Sequence, residues 1–399
     1  MVSNRTLVGR GLKDLISLFK PLPSPIPGRP EGKRILVFNW RDQRHVYAGG
    51  AELYVHELSR RWVEQGHAVT LFCGRDGSTT PRRETLDGVK IVRRGGFWLV
   101  YVWAMLYYLI RFRGSYDVIV DCHNGIPFFT PLYAGVPVVG VVHHIHQEVF
   151  KRHLPAPAAA LARWLEGTLM PWAYRRCQLI AVSESTKQDM LALGLKGAGI
   201  HIVHNGVDLD DLYPATKADT PLVVYLGRLK AYKSVDVLVR AFHEVTMTIP
   251  GAKLVIAGPG EELNRLKALA AKLGLTRDQI EFKGRVSDNE RRRLLQRAWV
   301  FVNPSLMEGW GITTIEANAC GTPVVGANVA GLRDSIQNPH TGYLVPHGDH
   351  AAFAGRVREL LTDHAQRDFM SRNAVEWANQ FKWDDSSRRA LHLIEGEAR

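Results

Sequence analysis

An alternation that runs twice along this chain constrains its fold more than any other feature. From Arg34 onward, short β-branched runs take turns with longer stretches of helical periodicity. In the first half the pattern predicts strands over 35–38, 68–72, 118–121, 138–142 and 179–182, with helices over 50–65 and 161–175. Runs that are apolar on both faces belong in a mainly parallel sheet covered by helices on both sides. Residues 205–220, rich in Asn, Asp, Pro and Thr, interrupt the pattern. It then restarts, with strands at 222–226, 254–257, 280–282, 300–302 and 324–325 and helices near 234–248, 261–273, 288–298 and 313–319. The last ~45 residues read as amphipathic helix. A chain of 399 residues accommodates two such domains. Open α/β sheets bind ligands beyond the carboxyl ends of their strands, so the site is expected in a cleft between the two domains.

Composition narrows the function. The net charge is +12, and residues 1–120 supply nine of those charges, with 19 basic and 10 acidic side chains. A cationic first third suggests an anionic partner, such as a lipid headgroup or a phosphorylated substrate. No recognised nucleic-acid module or interleaving of aromatic and basic residues accompanies the charge, so a nucleic-acid partner is not expected. Cys73, Cys122, Cys177 and Cys320 lie far apart without C-x-x-C spacing, which argues against a zinc knuckle or a disulfide framework and for a reducing compartment. No secretory signal is visible.

The longest apolar run, Phe97 to Ile110, falls short of the ~20 residues that a spanning helix needs. It reads either as a buried helix of an α/β domain or, being rich in Trp and Tyr and bracketed by Arg93, Arg94, Arg111 and Arg113, as an anchor at a membrane surface. Residues 7–20 form a candidate amphipathic helix, and the Pro-rich stretch 21–30 a stiff tether.

The densest chemistry lies between Pro304 and Pro323. A strand ends near Asn303, a loop with Gly309 and Gly311 follows, and a helix starts at Thr313 or Thr314. Glycines let backbone approach a ligand, and a helix N-terminus offers amides to an anion. Glu308 on the loop and Glu316 inside the helix can each accept paired hydrogen bonds from the vicinal hydroxyls of a sugar. Arg228 and Lys233, after a strand end, can neutralise a departing diphosphate without a metal. His143, His144 and His146 follow another strand, with His123 as a conceivable further metal ligand, but a polar strand end is the plainer reading. The G-x-G-x-x-G fingerprint of an NAD enzyme is missing after the first strand, and Gly258-Pro-Gly260 lacks the third glycine.

The E-x7-E of Glu308 and Glu316 in its strand-loop-helix setting resembles the donor site of the retaining glycosyltransferases of family 4. The resemblance continues, in order, through Gly49-Gly50-Ala51-Glu52, Val182-Ser183-Glu184-Ser185, His204-Asn205-Gly206-Val207-Asp208, Leu226-Gly227-Arg228-Leu229 with Lys233, Ala257-Gly258-Pro259-Gly260 and Gly284-Arg285-Val286-Ser287. It implies the GT-B fold: an α/β chain of two Rossmann-like αβα domains facing a central cleft, with C-terminal helices crossing back to the first. The boundaries expected are 1–33 for the N-terminal segment and tether, 34–205 for an acceptor-side domain, 206–370 for a nucleotide-sugar domain and 371–399 for the C-terminal helices.

The resemblance also implies roles. Glu316 would hold the ribose, and Glu308 the hydroxyls of the transferred sugar. Arg228, Lys233 and the backbone around Gly309, Trp310, Gly311, Ile312 and Thr313 would hold the diphosphate. Gly227, Gly258, Arg285, Val286 and Asn205 would complete the donor pocket. Gly49, Gly50, His123, Asn124 and His144 would face the acceptor. One histidine of the pair 143–144 would contact the donor sugar near its reacting carbon; His143 is preferred, and the second histidine departs from the family's usual His-Asp or His-Gly.

The implied reaction is metal-independent transfer of a hexose from a UDP- or GDP-linked sugar, with no other cofactor. The expected acceptor is a lipid-linked or cell-envelope glycan, reached by a cytoplasmic enzyme held peripherally on an anionic membrane. An epimerase or phosphorylase of the same architecture is the alternative.

Overall fold

The computed structural model describes residues 32–77, 80–196 and 199–396, with the side chains of residues 152 and 153 also left aside. The amphipathic segment and tether expected over 7–30 lie outside the described residues. The chain divides into two compact units. One runs to His204 and resumes at Asp384; the other is Asn205–Trp383.

The first unit is built on an eight-stranded sheet. Its strands are β1 (Arg34–Phe38), β2 (Ala68–Cys73), β3 (Arg83–Leu86), β4 (Val89–Arg93), β5 (Val118–His123), β6 (Val138–Val142), β7 (Gln178–Ala181) and β8 (Ile200–Ile202). The order is β3-β4-β2-β1-β5-β6-β7-β8, parallel throughout except for the β3–β4 hairpin at one edge. That hairpin and β8 escaped the sequence pattern. The hairpin strands are short and interrupted by charge, and their signal is the Asp87-Gly88 turn, where Asp87 itself takes a positive φ of 48°. The last helix, Trp383–Glu395, returns to this unit. Asp384 pairs with Arg61, and the Ser387 carbonyl accepts from the Trp62 indole. The helix before it, His364–Ala378, belongs to the second unit, so a single helix crosses back rather than several.

The apolar run after β4 folds as a helix with one buried and one exposed face. The helix Val100–Tyr107 and the π-turn Tyr108–Phe112 bury Val100, Trp103, Ala104, Tyr107, Tyr108 and Phe112 against the sheet. Trp98, Leu99, Val102 and Ile110 stay at least half exposed. No helix among the described residues is long and apolar enough to cross a membrane.

The second unit holds β9 (Leu222–Leu226), β10 (Lys253–Ala257), β11 (Ile280–Gly284), β12 (Val300–Asn303), β13 (Val324–Ala327) and β14 (Gly342–Val345). Their order is β11-β10-β9-β12-β13-β14, all parallel. Burial explains the clean alternation here: β9, β10, β12 and β13 are almost wholly buried, as strands covered by helices on both faces must be. In each sheet the chain leaves its first strand toward one edge and later returns to its other side. Such a switch point opens a crevice at the carboxyl ends of the two strands beside it. The switch lies between β1 and β5 in the first unit and between β9 and β12 in the second.

Candidate active site

In the second unit the predicted residues gather at the carboxyl edge of the sheet. Gly227 and Arg228 follow β9, Gly258 follows β10, Arg285 and Val286 follow β11, and Glu308 to Thr313 follow β12. The turn Ala231–Lys233 brings Lys233 back across the switch point to Glu308, with which it forms a close ion pair. The backbone reinforces this bridge, since the Leu306 amide donates to the Tyr232 carbonyl at 2.8 Å. Arg228 is steadied by the Tyr232 hydroxyl at 3.0 Å. Glu308 also accepts from Ser305 Oγ at 2.9 Å. Burial alone would push the Glu308 carboxyl up. The charge and hydrogen bond of Lys233, with bonds from Ser305 and Asn303, outweigh it and hold the group below its ordinary value. Glu308 is therefore an anion at neutral pH, in direct contact with a lysine.

Gly311 caps the next helix, Ile312–Ala319, at φ 78°, a left-handed conformation that disfavours any side chain. The first-turn amides of Ile312 and Thr313 have no helical acceptor behind them and point out of the N-terminus. Glu316, one turn on, is almost completely buried and accepts two bonds from Arg291 Nη1, at 2.8 and 2.9 Å. Burial pushes Glu316 up, opposed by Arg291, while the Glu316 charge raises Arg291 against its own burial. Sequence reasoning missed Arg291. Its signal was there: Ser287, which accepts from the Glu290 amide, starts the helix Asp288–Arg297 and aims its arginine-rich middle.

Other predicted donor residues take structural places. Trp310 is buried, its ring edge-on to Phe381 at 5.0 Å, so it anchors the loop from inside instead of lining the pocket. Gly258 has φ +144°, and a Cβ there would lie 1.8 Å from the Gly227 carbonyl oxygen. Gly258 is thus required by the close approach of two loops, which are laced by Gly227 N–H to Ala257 O and Leu229 N–H to Pro259 O. Arg285 is exposed, and Val286 half-buried. Asn205 is buried at the first residue of the unit, away from the β9–β12 switch in sequence.

The first unit has its own edge cluster. At its switch point the Asn124 amide donates to Asn39 Oδ1 at 3.1 Å, joining the ends of β5 and β1. His143 follows β6, is 5% exposed, and stands edge-on to Tyr54 at 5.3 Å. Burial, with the charges of His144 and His123 added, drives its pKa down to about 3, so its imidazole is neutral. His144 is half-exposed and stacks on His146 at 3.9 Å. His123 corrects the sequence reading. At 1% exposure it lies beneath the edge, 3.7 Å from Asp121 and edge-on to Tyr174, and does not face outward. Gly49 corrects it too: its amide is already spent on Glu52 Oε2 at 2.7 Å, and Arg41 holds that carboxylate from the other side. Gly50 begins the helix that Glu52 caps.

Sequence and structure comparisons identify related proteins for both units. Residues 48–211 match the family described as Glycosyltransferase Family 4, and residues 214–377 the family described as Glycosyl transferases group 1. A D-inositol 3-phosphate glycosyltransferase of Kribbella flavida is 30% identical, over 86% of this chain and 90% of that protein. Among solved structures, sucrose-phosphate synthase from Thermosynechococcus elongatus superposes with a TM-score of 0.79 at 22% identity, over 92% of this chain and 99% of that one. Anabaena Alr3699/HepE in complex with UDP-glucose gives 0.71 at 17% identity, over 92% and 100%.

Proposed function

Given that the chain belongs to family 4 of the glycosyltransferases, with the GT-B fold, we propose a retaining, metal-independent transfer of a hexose from a nucleotide-diphosphate sugar. The observation that carries this reading is the Lys233–Glu308 pair across the β9–β12 switch, flanked by Arg228 and the N-terminus of Ile312–Ala319. A donor entering there meets two cations and a set of amides for its diphosphate, and two carboxylates for hydroxyls. The salt bridge holds Glu308 as the anion and keeps both partners in place. Lys233 then turns to the phosphates, while Glu308 accepts from the sugar and Glu316, held by Arg291, accepts from the ribose. As the bond from the anomeric carbon to the phosphate oxygen breaks, its electron pair goes to the diphosphate, where charge is stabilised most. The acceptor oxygen bonds to that carbon on the same face, and its proton passes to the leaving phosphate oxygen. A neutral His143 serves as a hydrogen-bonding partner of the sugar and not as a cation.

No cofactor beyond the donor is needed. The UDP-glucose named for the Anabaena neighbour favours a uridine donor over a guanosine one. For the acceptor we favour a lipid-linked or envelope glycan, used by a cytoplasmic enzyme resting on the inner face of the membrane. The exposed Phe97, Trp98 and Leu99 support this. Phe97 and Trp98 join Trp40 in an aromatic ladder, with Trp40–Phe97 at 4.5 Å and Phe97–Trp98 at 4.7 Å. Trp40 follows β1, so the ladder sits at the same sheet edge as Asn39 and Asn124, and residues 88–116 contain no acid.

A thermal-shift screen of UDP-, GDP- and ADP-sugars tests the donor, since a ligand that binds only the native state raises its melting temperature. A UDP-sugar should give the largest shift. No shift with any nucleotide sugar would refute the site, and a changed sugar without an acceptor would indicate an epimerase.

A further inference from the structure

Between β6 and β7 the chain makes a helical excursion whose components are Gln147–His153, Ala156–Trp164, a π-turn Leu165–Leu169 and Met170–Ala173. π-turns are rare and frequently mark functional positions. This one carries Glu166, which is 1% exposed. Its Oε1 accepts the His146 amide at 2.7 Å, and its Oε2 accepts Gln147 Nε2 at 2.8 Å. Gln147 is clasped in turn by Arg163, donating to its carbonyl at 3.1 Å and accepting from its Nε at 3.3 Å. One buried carboxylate therefore holds the two residues that end the loop begun by His143.

We propose that Glu166 is a positioning residue, fixing the loop 143–147 so that His143 meets the donor sugar. The proposal rests on the reading of His143 given above, which this chain's geometry extends to a residue with no contact to substrate. Its cost argues for it. A buried carboxylate without a strong counter-charge is expensive, and a fold retains one where the bonds it accepts matter. Among the described residues the only ionisable nitrogen within ion-pair distance is His146 Nδ1, at 3.7 Å. That ring is kept neutral by burial and by His144, whose carbonyl it also contacts. The groups against Glu166 are thus His146 and Gln147 from the loop, with His144 stacked on His146 and Arg163 bonded to Gln147. Burial moves Glu166 to about 7, so the clasp tightens as pH rises through neutrality, when the carboxylate regains its second acceptor.

The test compares Glu166→Gln and Glu166→Ala with the wild type in the full chain, using hydrogen exchange and nucleotide release from the best UDP-sugar of the donor screen. Glu166→Gln keeps one acceptor and nearly the same shape, so it decides the matter should Glu166→Ala not fold. Amides of 143–150 should exchange faster in both variants while second-unit segments stay unchanged. We expect kcat to fall by about tenfold in Glu166→Gln, and KM for the donor to stay within about twofold, because misplacement of a reacting group acts on the chemical step. The wild type should lose kcat as pH falls below neutrality, and Glu166→Gln should lack that limb. Wild-type exchange and kcat in folded variants would overturn the proposal. Faster exchange with unchanged kcat would reduce Glu166 to a helix cap and overturn it equally. If the wild type releases no nucleotide, the transferase reading has failed, and unchanged exchange in the variants would still sink the clasp.

Discussion

Replacing Arg291 by Met isolates the most informative contact of the second unit. The change removes both bonds to Glu316 and leaves a carboxylate whose side chain is only 3% exposed. Breaking a buried ion pair from one side costs about 3–5 kcal/mol. Arg291 itself is 32% exposed, so water screens part of the pair, and about 2–3 kcal/mol is the better expectation here. For a domain of this size that lowers the melting temperature by about 4–12 °C. The sign with pH follows from burial. Glu316 already sits above the ordinary glutamate value of 4.5 in the folded protein, and without Arg291 it moves higher. A group raised on folding favours the native state at low pH and penalises it as pH climbs through its folded value. The variant should therefore melt closest to the wild type on the acid side and diverge above the folded value. Adding Glu316→Gln should recover most of the loss at pH 8, because the remaining amide carries no charge to bury. The assay is differential scanning calorimetry of these three proteins across pH 5–8, together with UDP-sugar titration. An Arg291→Met variant as stable as wild type at pH 8 would refute the pairing. Undiminished donor affinity in it would refute the role of Arg291 in presenting Glu316.

Lys233→Ala and Arg228→Ala should depress kcat more than donor affinity, as leaving-group charge peaks in the transition state; full turnover in the double variant excludes the diphosphate clamp. Gly258→Ala forces a Cβ to 1.8 Å from the Gly227 oxygen and should cost more than 3 kcal/mol or prevent folding, read as soluble yield and melting temperature. Liposome co-sedimentation should favour anionic vesicles, weaken with salt, and fall in Trp98→Ser/Leu99→Ser. Trp103 is unsuitable for that test because it is buried. Failure to bind at low salt would shift the acceptor toward a soluble molecule.

Much of the fold was legible because both sheets are parallel and buried on both faces, which writes β9, β10 or β12 as unbroken apolar runs. The β3–β4 hairpin and β14 were not, since short edge strands carry charge or glycine and lack that signature. At the candidate site, spacing singled out Glu308, Glu316, Arg228 and Lys233. It could not reveal that Lys233 turns onto Glu308, which depends on which strands border the switch point. Arg291 and Glu166 were hidden for the same reason: each acts through a partner 20 or more residues distant, brought near only by packing. His123 misled because a polar residue beside a strand end reads alike whether it points outward or into the core.

Transfer from a nucleotide-diphosphate sugar, with retention and without a metal, is the reaction proposed for this enzyme. Its most direct measurement is proton NMR of the product formed from an α-linked UDP-hexose and an envelope-lipid extract, in excess EDTA. The account predicts an α-linked glycoside, formed at the same rate with and without added magnesium or manganese. A β-linked product, or activity that EDTA abolishes and a divalent ion restores, would contradict it.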